Sequence, residues 1–255
     1  LRSAMAFPVV VQHDTTTAKA NTVNVNYPTG MTSGNLVVFF LGWVDDASPV
    51  SYTGSALLSL GGQNANSNNQ SNVLLWYREV DGTEGTSEPF SFNADKETTA
   101  HVVEVSGWDT SEPPLAAYAT TGTSGTVNPD PPSRAWGWSG DTLALAGFVI
   151  RGNEVITTQP TGYTQVVYGN SAGNAGHVIS EKDVTSSPED PSSYTIENSK
   201  EAVTFTLVIK AAAAASGGTV GVWTGSAFVQ KPVKVWTGSA FETKPLKRWN
   251  GSAFV

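Results

Sequence analysis

The sequence predicts an all-β protein: a two-layer antiparallel β-sandwich, jelly-roll-like and made of two pseudo-repeated halves, followed by a small β-meander of 13-residue repeats. Three observations predict it. Apolar residues come in runs of strand length between turn residues, in a chain with 25 Gly, 14 Pro and only 14% charged residues. That mixture suits many short strands and argues against helix bundles. Motifs of the first half return about 104 residues later. Finally, Trp-Thr-Gly-Ser-Ala-Phe at Trp223 to Phe228 recurs at Trp236 to Phe241, and as Trp-Asn-Gly-Ser-Ala-Phe at Trp249 to Phe254, a strict spacing of 13.

The first half supplies its strands in order. Thr22 to Asn26 alternates Val with polar residues, and Pro28-Thr29-Gly30 and Ser33-Gly34 are turn chemistry. Leu36 to Leu41 is apolar throughout and reads as a strand buried on both faces. Gly61 to Asn72 holds only Gly, Asn, Ser, Gln and Ala and reads as a surface loop. Val73 to Val80 is the next strand, ended by Asp81-Gly82; Pro89 to Phe92 and His101 to Val105 follow as two more.

After Pro113-Pro114 the pattern restarts. Thr126-Val127-Asn128 echoes Thr22-Val23-Asn24, and Gly140-Asp141-Thr142-Leu143 echoes Gly34-Asn35-Leu36-Val37. Gly169 to Gly176 reads as the second polar loop, His177 to Lys182 echoes the strand ending in Glu79, and Val203 to Ile209 echoes His101 to Val105. Strands apolar on both faces need cover on both sides, which a sandwich of about twelve strands provides if each half contributes to both sheets. Two tandem six-strand sandwiches are the alternative.

The expected organisation is a body over 1–210, with pseudo-repeats at about 15–109 and 117–210, a linker over 211–218 and a repeat tail over 219–255. In the tail, Gly-Ser suits a type II′ turn and Asn250-Gly251 a type I′ turn, either of which sets Trp opposite Phe across a hairpin. Phe228 and Trp236 lie eight apart, so a continuous strand would put both on one face. Pro232 and Pro245 interrupt the ladder, at a kink, an edge or a further turn that makes two short strands per repeat. Three Trp and three Phe bury about 150–250 Å² each when covered, more than a short meander can cover itself. Trp223, Phe228, Trp236, Phe241, Trp249 and Phe254 are therefore the candidate assembly residues. The expected partner is another chain, as a homo-oligomer with a trimer favoured.

Charge narrows the partners. The net charge is −8, yet the tail is about +4, with Lys231, Lys234, Lys244, Lys247 and Arg248 against Glu242, which leaves the body near −12. An acidic body argues against nucleic acid. Without Cys there is no disulfide, Cys-ligated zinc or thiol chemistry. No apolar run approaches the ~20 residues that span a bilayer, and Leu1 to Met5 lacks a signal-peptide core.

No catalytic constellation emerges, and no cofactor or metal is expected. His13, His101 and His177 show no metal-ligand spacing and read as structural. Asp45-Asp46 lacks the Asp-x-Asp-x-Asp-Gly pattern of a calcium loop. Glu79, Asp81 and Glu84 cluster at a strand end, but nothing in their spacing faces two carboxylates across a substrate. Trp43, Trp108, Trp136 and Trp138 stand at strand ends. Trp43, Trp136 and Trp138 are the candidate glycan-binding residues, with plugs for the ends of the sandwich as the structural alternative.

The tail resembles the C-terminal Lys-Pro-Val-Lys-Val-Trp-Thr-Gly-Ser-Ala-Phe repeats of tailed-phage virion proteins, above all minor tail proteins of phages that infect actinobacteria. The body is similar to a β-rich domain of phage tail and fibre proteins. The residues that carry this are Gly34 to Val38, Leu75 to Glu84 (Leu-Trp-Tyr-Arg-Glu-Val-Asp-Gly-Thr-Glu), Val105 to Asp109, Gly140 to Leu143 and Pro160 to Thr164. The first half has Gly-Asn-Leu where Gly-Asp-Leu is usual. The resemblance implies a virion structural protein on the particle surface, a tail, fibre or decoration component. It would bind other virion proteins and contact host surface glycans, with no catalytic residues and no membrane insertion. The alternative is a carbohydrate-binding module using its exposed aromatics.

Overall fold

The computed structural model describes residues 6–45, 50–52, 54, 57–64, 71–121, 126–171, 174–213, 219–223 and 228–243. The chain divides into two compact units, Ala6–Ala212 and a second that takes in the segment from Ala213 onward. Among the described residues there is no helix.

The first half forms one whole sheet. Its strands are β1 (Val9–Asn26), β2 (Leu36–Val44), β3 (Ser51–Tyr52), β4 (Leu58–Asn64), β5 (Ser71–Glu79) and β6 (Ser87–Ser106), in the order β1-β6-β2-β5-β4, with β3 on β6. The second half forms the facing sheet from β7 (Leu115–Thr120), β8 (Thr142–Arg151), β10 (Thr164–Ser171), β11 (Ala175–Val184) and β13 (Ala202–Lys210), in the order β10-β11-β8-β13-β7; β9 (Ile156–Thr158) and β12 (Thr195–Ile196) pair separately. All named pairings are antiparallel. The expectation that each half feeds both sheets is thus corrected: each half makes one sheet, and the sandwich closes by laying one half on the other. The core between them joins Leu36, Val38, Phe40 and Leu75 to Leu145, Ile179, Phe205 and Leu207.

The two sheets share more than strand order. The β4–β5 ladder slips between Ser59 and Gly61, and the β10–β11 ladder slips between Gln165 and Val167. On the partner strands the slips fall at Trp76/Leu75 and Ser180/Ile179. The sheets face each other in reverse: β1 lies over β10, β2 over β8 and β4 over β7. This is the geometry of an isologous pair, with β2 and β8 at its centre.

Apolar runs buried on both faces need a second cover, and long-range folding supplies it. Between Ala20↔Lys96 and Thr22↔Ser91 the β1–β6 ladder breaks. The ribbon doubles back, so that the Asn26 N–H donates to Thr16 Oγ1 (3.0 Å). Its far end covers the outer face of the first sheet, with Phe90 against Trp76 and Phe39 (ring centroids 5.1 and 6.2 Å apart). The outer face of the second sheet is covered by Trp136 and Tyr163 at one end and Tyr194 and Ile196 at the other. Tyr194 packs edge-on against Phe148 and its hydroxyl donates to the Ala146 carbonyl (2.9 Å).

Three expectations change in detail. Pro89 to Phe92 and His101 to Val105 belong to one long strand, β6. The polar loops are shorter than composition suggests: Gly61 to Asn64 lie in β4, Gly169 to Ser171 in β10, and Ser71 and Asn72 are fully buried in β5. Glycine is there for close approach. A Cβ on Gly169 would stand 2.7 Å from the His101 ring and 2.8 Å from Thr99 Cγ2. Thr126, expected to open a strand, makes only an isolated bridge to Lys200.

Candidate functional site

The hexad Trp236 to Phe241 is the end of a hairpin, and the two ends of the first hexad, Trp223 and Phe228, stand on paired strands. β14 (Thr219–Trp223) pairs with β15 (Phe228–Pro232), and β16 (Lys234–Trp236) with β17 (Phe241–Thr243). Trp223 is opposite Phe228 and Trp236 opposite Phe241. In the second hairpin Gly238 takes φ +96° at the first central position, where a type II′ turn needs a positive φ. The Thr237 N–H and hydroxyl both donate to the Ala240 carbonyl (2.9 and 3.0 Å). The Trp236 and Phe241 rings are 5.1 Å apart and remain 56% and 66% exposed. Among the aromatic residues whose side chains are described, they are the two exposed to this degree.

Val233 separates β15 from β16, and the described hairpins are separate two-stranded sheets. The nine residues from Phe228 to Trp236 are two strands, as Pro232 would demand, and not one strand with a shared face. Trp249 and Phe254 lie outside the described residues.

The tryptophans singled out in the body are mostly plugs. Trp43 is 1% exposed and packs on Phe92 (ring centroids 5.6 Å apart), because the doubled-back ribbon lies over it. It cannot stack on a sugar, and that assignment is withdrawn. Trp108 is buried and its indole N–H donates to the Gly34 carbonyl (3.1 Å). Trp136 is buried beneath Trp138, with centroids 6.0 Å apart and planes 28° from parallel. The two indoles stack on each other and do not form a shared platform. Trp138 stays half-buried, with its N–H on Thr142 Oγ1 (2.9 Å).

The structure brings together two histidines that the sequence keeps apart. His101 on β6 and His177 on β11 are both fully buried between the sheets, with ring centroids 4.7 Å apart. His101 Nε2 lies 3.1 Å from the His177 carbonyl, so it carries the hydrogen and donates. Nδ1 is then the acceptor for the Thr15 hydroxyl (2.9 Å). His177 Nδ1 lies 3.2 Å from the Thr99 carbonyl and donates there, which leaves its buried Nε2 without a partner among the described residues. Burial lowers the pKa of His101 to about 4 and that of His177 well below its ordinary range; His101 lowers His177 further. Both rings are neutral packing elements in a polar seam, where the Thr99 hydroxyl also donates to the Ala175 carbonyl (2.6 Å). No spacing signal could reveal the pair, because their contact depends on which strands face across the sandwich. His13 is exposed on the edge strand β1.

The acidic clusters hold loops. Arg78 stands 3.0 Å from both Asp81 and Glu84, and the Glu84 carboxylate accepts the Asp81 and Gly82 N–H groups (2.8 and 2.9 Å). Glu79 points outward from the strand end. Asp45 takes φ +89° and pairs with Arg151 (2.8 Å); Asp46 lies outside the described residues. Among the described residues no three His, Asp or Glu side chains gather as metal ligands. Compared with protein-family models, with curated proteins and with solved structures, the chain matches none.

Proposed function

We propose that the protein is a structural component of a phage virion, in the tail, a fibre or a decoration site, and that it assembles through its C-terminal repeats. The observation that carries this reading is the exposed Trp236–Phe241 pair on a hairpin whose hexad occurs three times. An isolated two-stranded hairpin is marginal in water, and a cross-strand aromatic pair contributes only about 0.2–1 kcal/mol. Burial against another chain adds what the hairpin lacks. The basic residues of the tail favour an acidic partner, which the body of another copy or another virion protein supplies. The likeness of the repeats to those of minor tail proteins supports the virion setting.

Sedimentation of the full chain tests the assembly. An oligomer, a trimer in the favoured case, is expected for the natural sequence, and a lower mass for the double substitution Trp236→Ser and Phe241→Ser. Equal masses for the two would exclude assembly through this face. Mass spectrometry of purified particles tests the virion setting, which requires the chain at a fixed copy number.

A further inference from the structure

The sandwich ends in four outer strands, β1 and β4 on the first sheet and β10 and β7 on the second. An outer strand offers its unpaired N–H and C=O groups to any further strand, and bulges, charges, Pro and Gly blunt that offer. Three of the four strands are blunted. β1 carries Asp14 and Lys19, and its ladder slips between Val10 and Gln12 and again between Ala20 and Thr22. β4 slips between Ser59 and Gly61, where Gly61 takes φ +90°. β10 slips between Gln165 and Val167. β7 has none of these devices. Its sequence, Leu-Ala-Ala-Tyr-Ala-Thr, holds no charged residue, Pro or Gly, and its ladder to β13 runs from Leu115↔Val208 to Thr120↔Val203 without a slip.

The ladder fixes which groups β7 presents. Just past the strand, the Thr121 N–H donates to the Ala202 carbonyl (3.1 Å) of β13. Main-chain groups alternate in direction along a strand. Those of Leu115, Ala117 and Ala119 therefore turn to β13, and those of Ala116, Tyr118 and Thr120 turn outward. Among the described residues these outward N–H and C=O groups have no hydrogen-bond partner. The strand is held in place before any partner arrives, because the Tyr118 hydroxyl lies 3.2 and 3.0 Å from the Leu60 and Gly61 carbonyls of β4. Such preorganisation lowers the cost of binding. At the same rim of the sandwich, two residues before Leu60, Leu58 is 56% exposed.

From this we infer that β7 is a homotypic docking edge, which pairs antiparallel with β7 of a second copy about a two-fold axis at Tyr118. The outward groups are centred on Tyr118, so the edge is complementary to itself. Tyr118 stands opposite its own counterpart, Ala116 opposite Thr120 and Ala117 opposite Ala119, and every outward N–H meets an outward C=O. The five-stranded sheet becomes one of ten strands through an isologous contact. Charge favours this occupant. The body is near −12, and like charges directly opposite destabilise a strand pair; β7 brings no charge to the pair. Leu58 is the apolar side chain beside the edge that a second copy covers. The inference is independent of the assembly proposed for the repeats.

Sedimentation of the full chain with Trp236→Ser and Phe241→Ser tests it with the repeat face silenced. A dimer is expected. Ala116→Pro removes an outward N–H that the β13 ladder does not use, which an edge strand tolerates. Ala117→Lys sets ammonium groups close together across the axis. Each, added to that background, should leave a monomer, with near-UV circular dichroism to check the fold; either one suffices. The chain has no Cys, so engineered thiols report the register. Residues 117 and 119 of two copies would form a non-hydrogen-bonded pair with Cα atoms about 4.5 Å apart, within disulfide reach. A mixture of Ala117→Cys and Ala119→Cys chains should therefore crosslink on oxidation, and neither chain alone. A monomer in the silenced background at every concentration would overturn the inference, as would a dimer that survives both edge substitutions or a mixture that fails to crosslink. Loss of the β7 dimer leaves assembly through the repeats untouched, since that is read from the natural sequence against the Trp236 and Phe241 substitutions.

Discussion

At the residue scale, the buried histidine pair links stability to pH. His101 has a pKa of about 4 when folded, against an ordinary 6.5, because burial disfavours its charged form. Between those values the unfolded chain binds more protons than the folded one. Stability is therefore fully present above the unfolded pKa, falls as pH drops toward about 4, and loses nothing further to this group below that. The contribution is roughly 3 kcal/mol for His101 at 1.36 kcal/mol per pH unit, and His177 adds to it in the same direction. Asp109, held at about 2 by Ser111 and Lys210, acts in a lower window, below the ordinary carboxylate range. Urea midpoints measured from about pH 7 to about pH 4 should fall for the natural protein. His101→Gln keeps an N–H donor but cannot titrate, and it should flatten much of that slope. A slope unchanged in His101→Gln would remove this histidine as its cause.

At the element scale, the centre of the sandwich depends on close contact between β2 and β8. A Cβ on Gly42 would stand 2.7 Å from Val149 Cγ2 and 3.0 Å from His177 Nδ1. Gly42→Ala should cost about 1–3 kcal/mol by overpacking. Val149→Ala removes the obstructing methyl, so the double variant should be more stable than the sum of the single changes, by a coupling of about 0.5–3 kcal/mol. Strict additivity in the denaturation midpoints would mean that the two residues do not share this contact. Elements built on local pattern were legible in the sequence: Leu36 to Leu41 is buried on both faces, and Trp stands opposite Phe across the hairpin turn. Elements set by distant neighbours were not. Gly61, Gly62 and Gly169 read as loop yet lie in strands, where the pairing and the facing sheet dictate a small residue. Trp43 stands at a strand end and reads as exposed, because only the doubled-back β1–β6 ribbon hides it.

At the scale of the whole molecule, each half supplies one sheet and leaves its inner face to be covered by the other. Leu36, Val38, Phe40 and Leu75 on one sheet are covered by residues of the facing one, among them Leu145, Ile179, Phe205 and Leu207. A single sheet with that face in water would expose an apolar patch far larger than the few hundred Å² that soluble monomers tolerate. Two tandem sandwiches would unfold as independent domains; this body should unfold as one. The segment that joins β6 to β7 offers a direct test, because Thr110, Ser111 and Pro113 are exposed and no strand runs through them. A protease site inserted between Glu112 and Pro113 leaves the Asp109–Lys210 ion pair (2.9 Å) and the Trp108↔Ala211 bridge in place. After cleavage the halves should stay together through the inter-sheet core and migrate as one body on size exclusion. They should still melt in a single transition, at a lower and concentration-dependent temperature, because folding would now include association. Denaturant should release both halves unfolded together, with no window in which one keeps its near-UV signal. Separate transitions for the two fragments would mean that each half carries a core of its own, contrary to the packing of Phe40 on Phe205 across the sheets (ring centroids 5.4 Å apart).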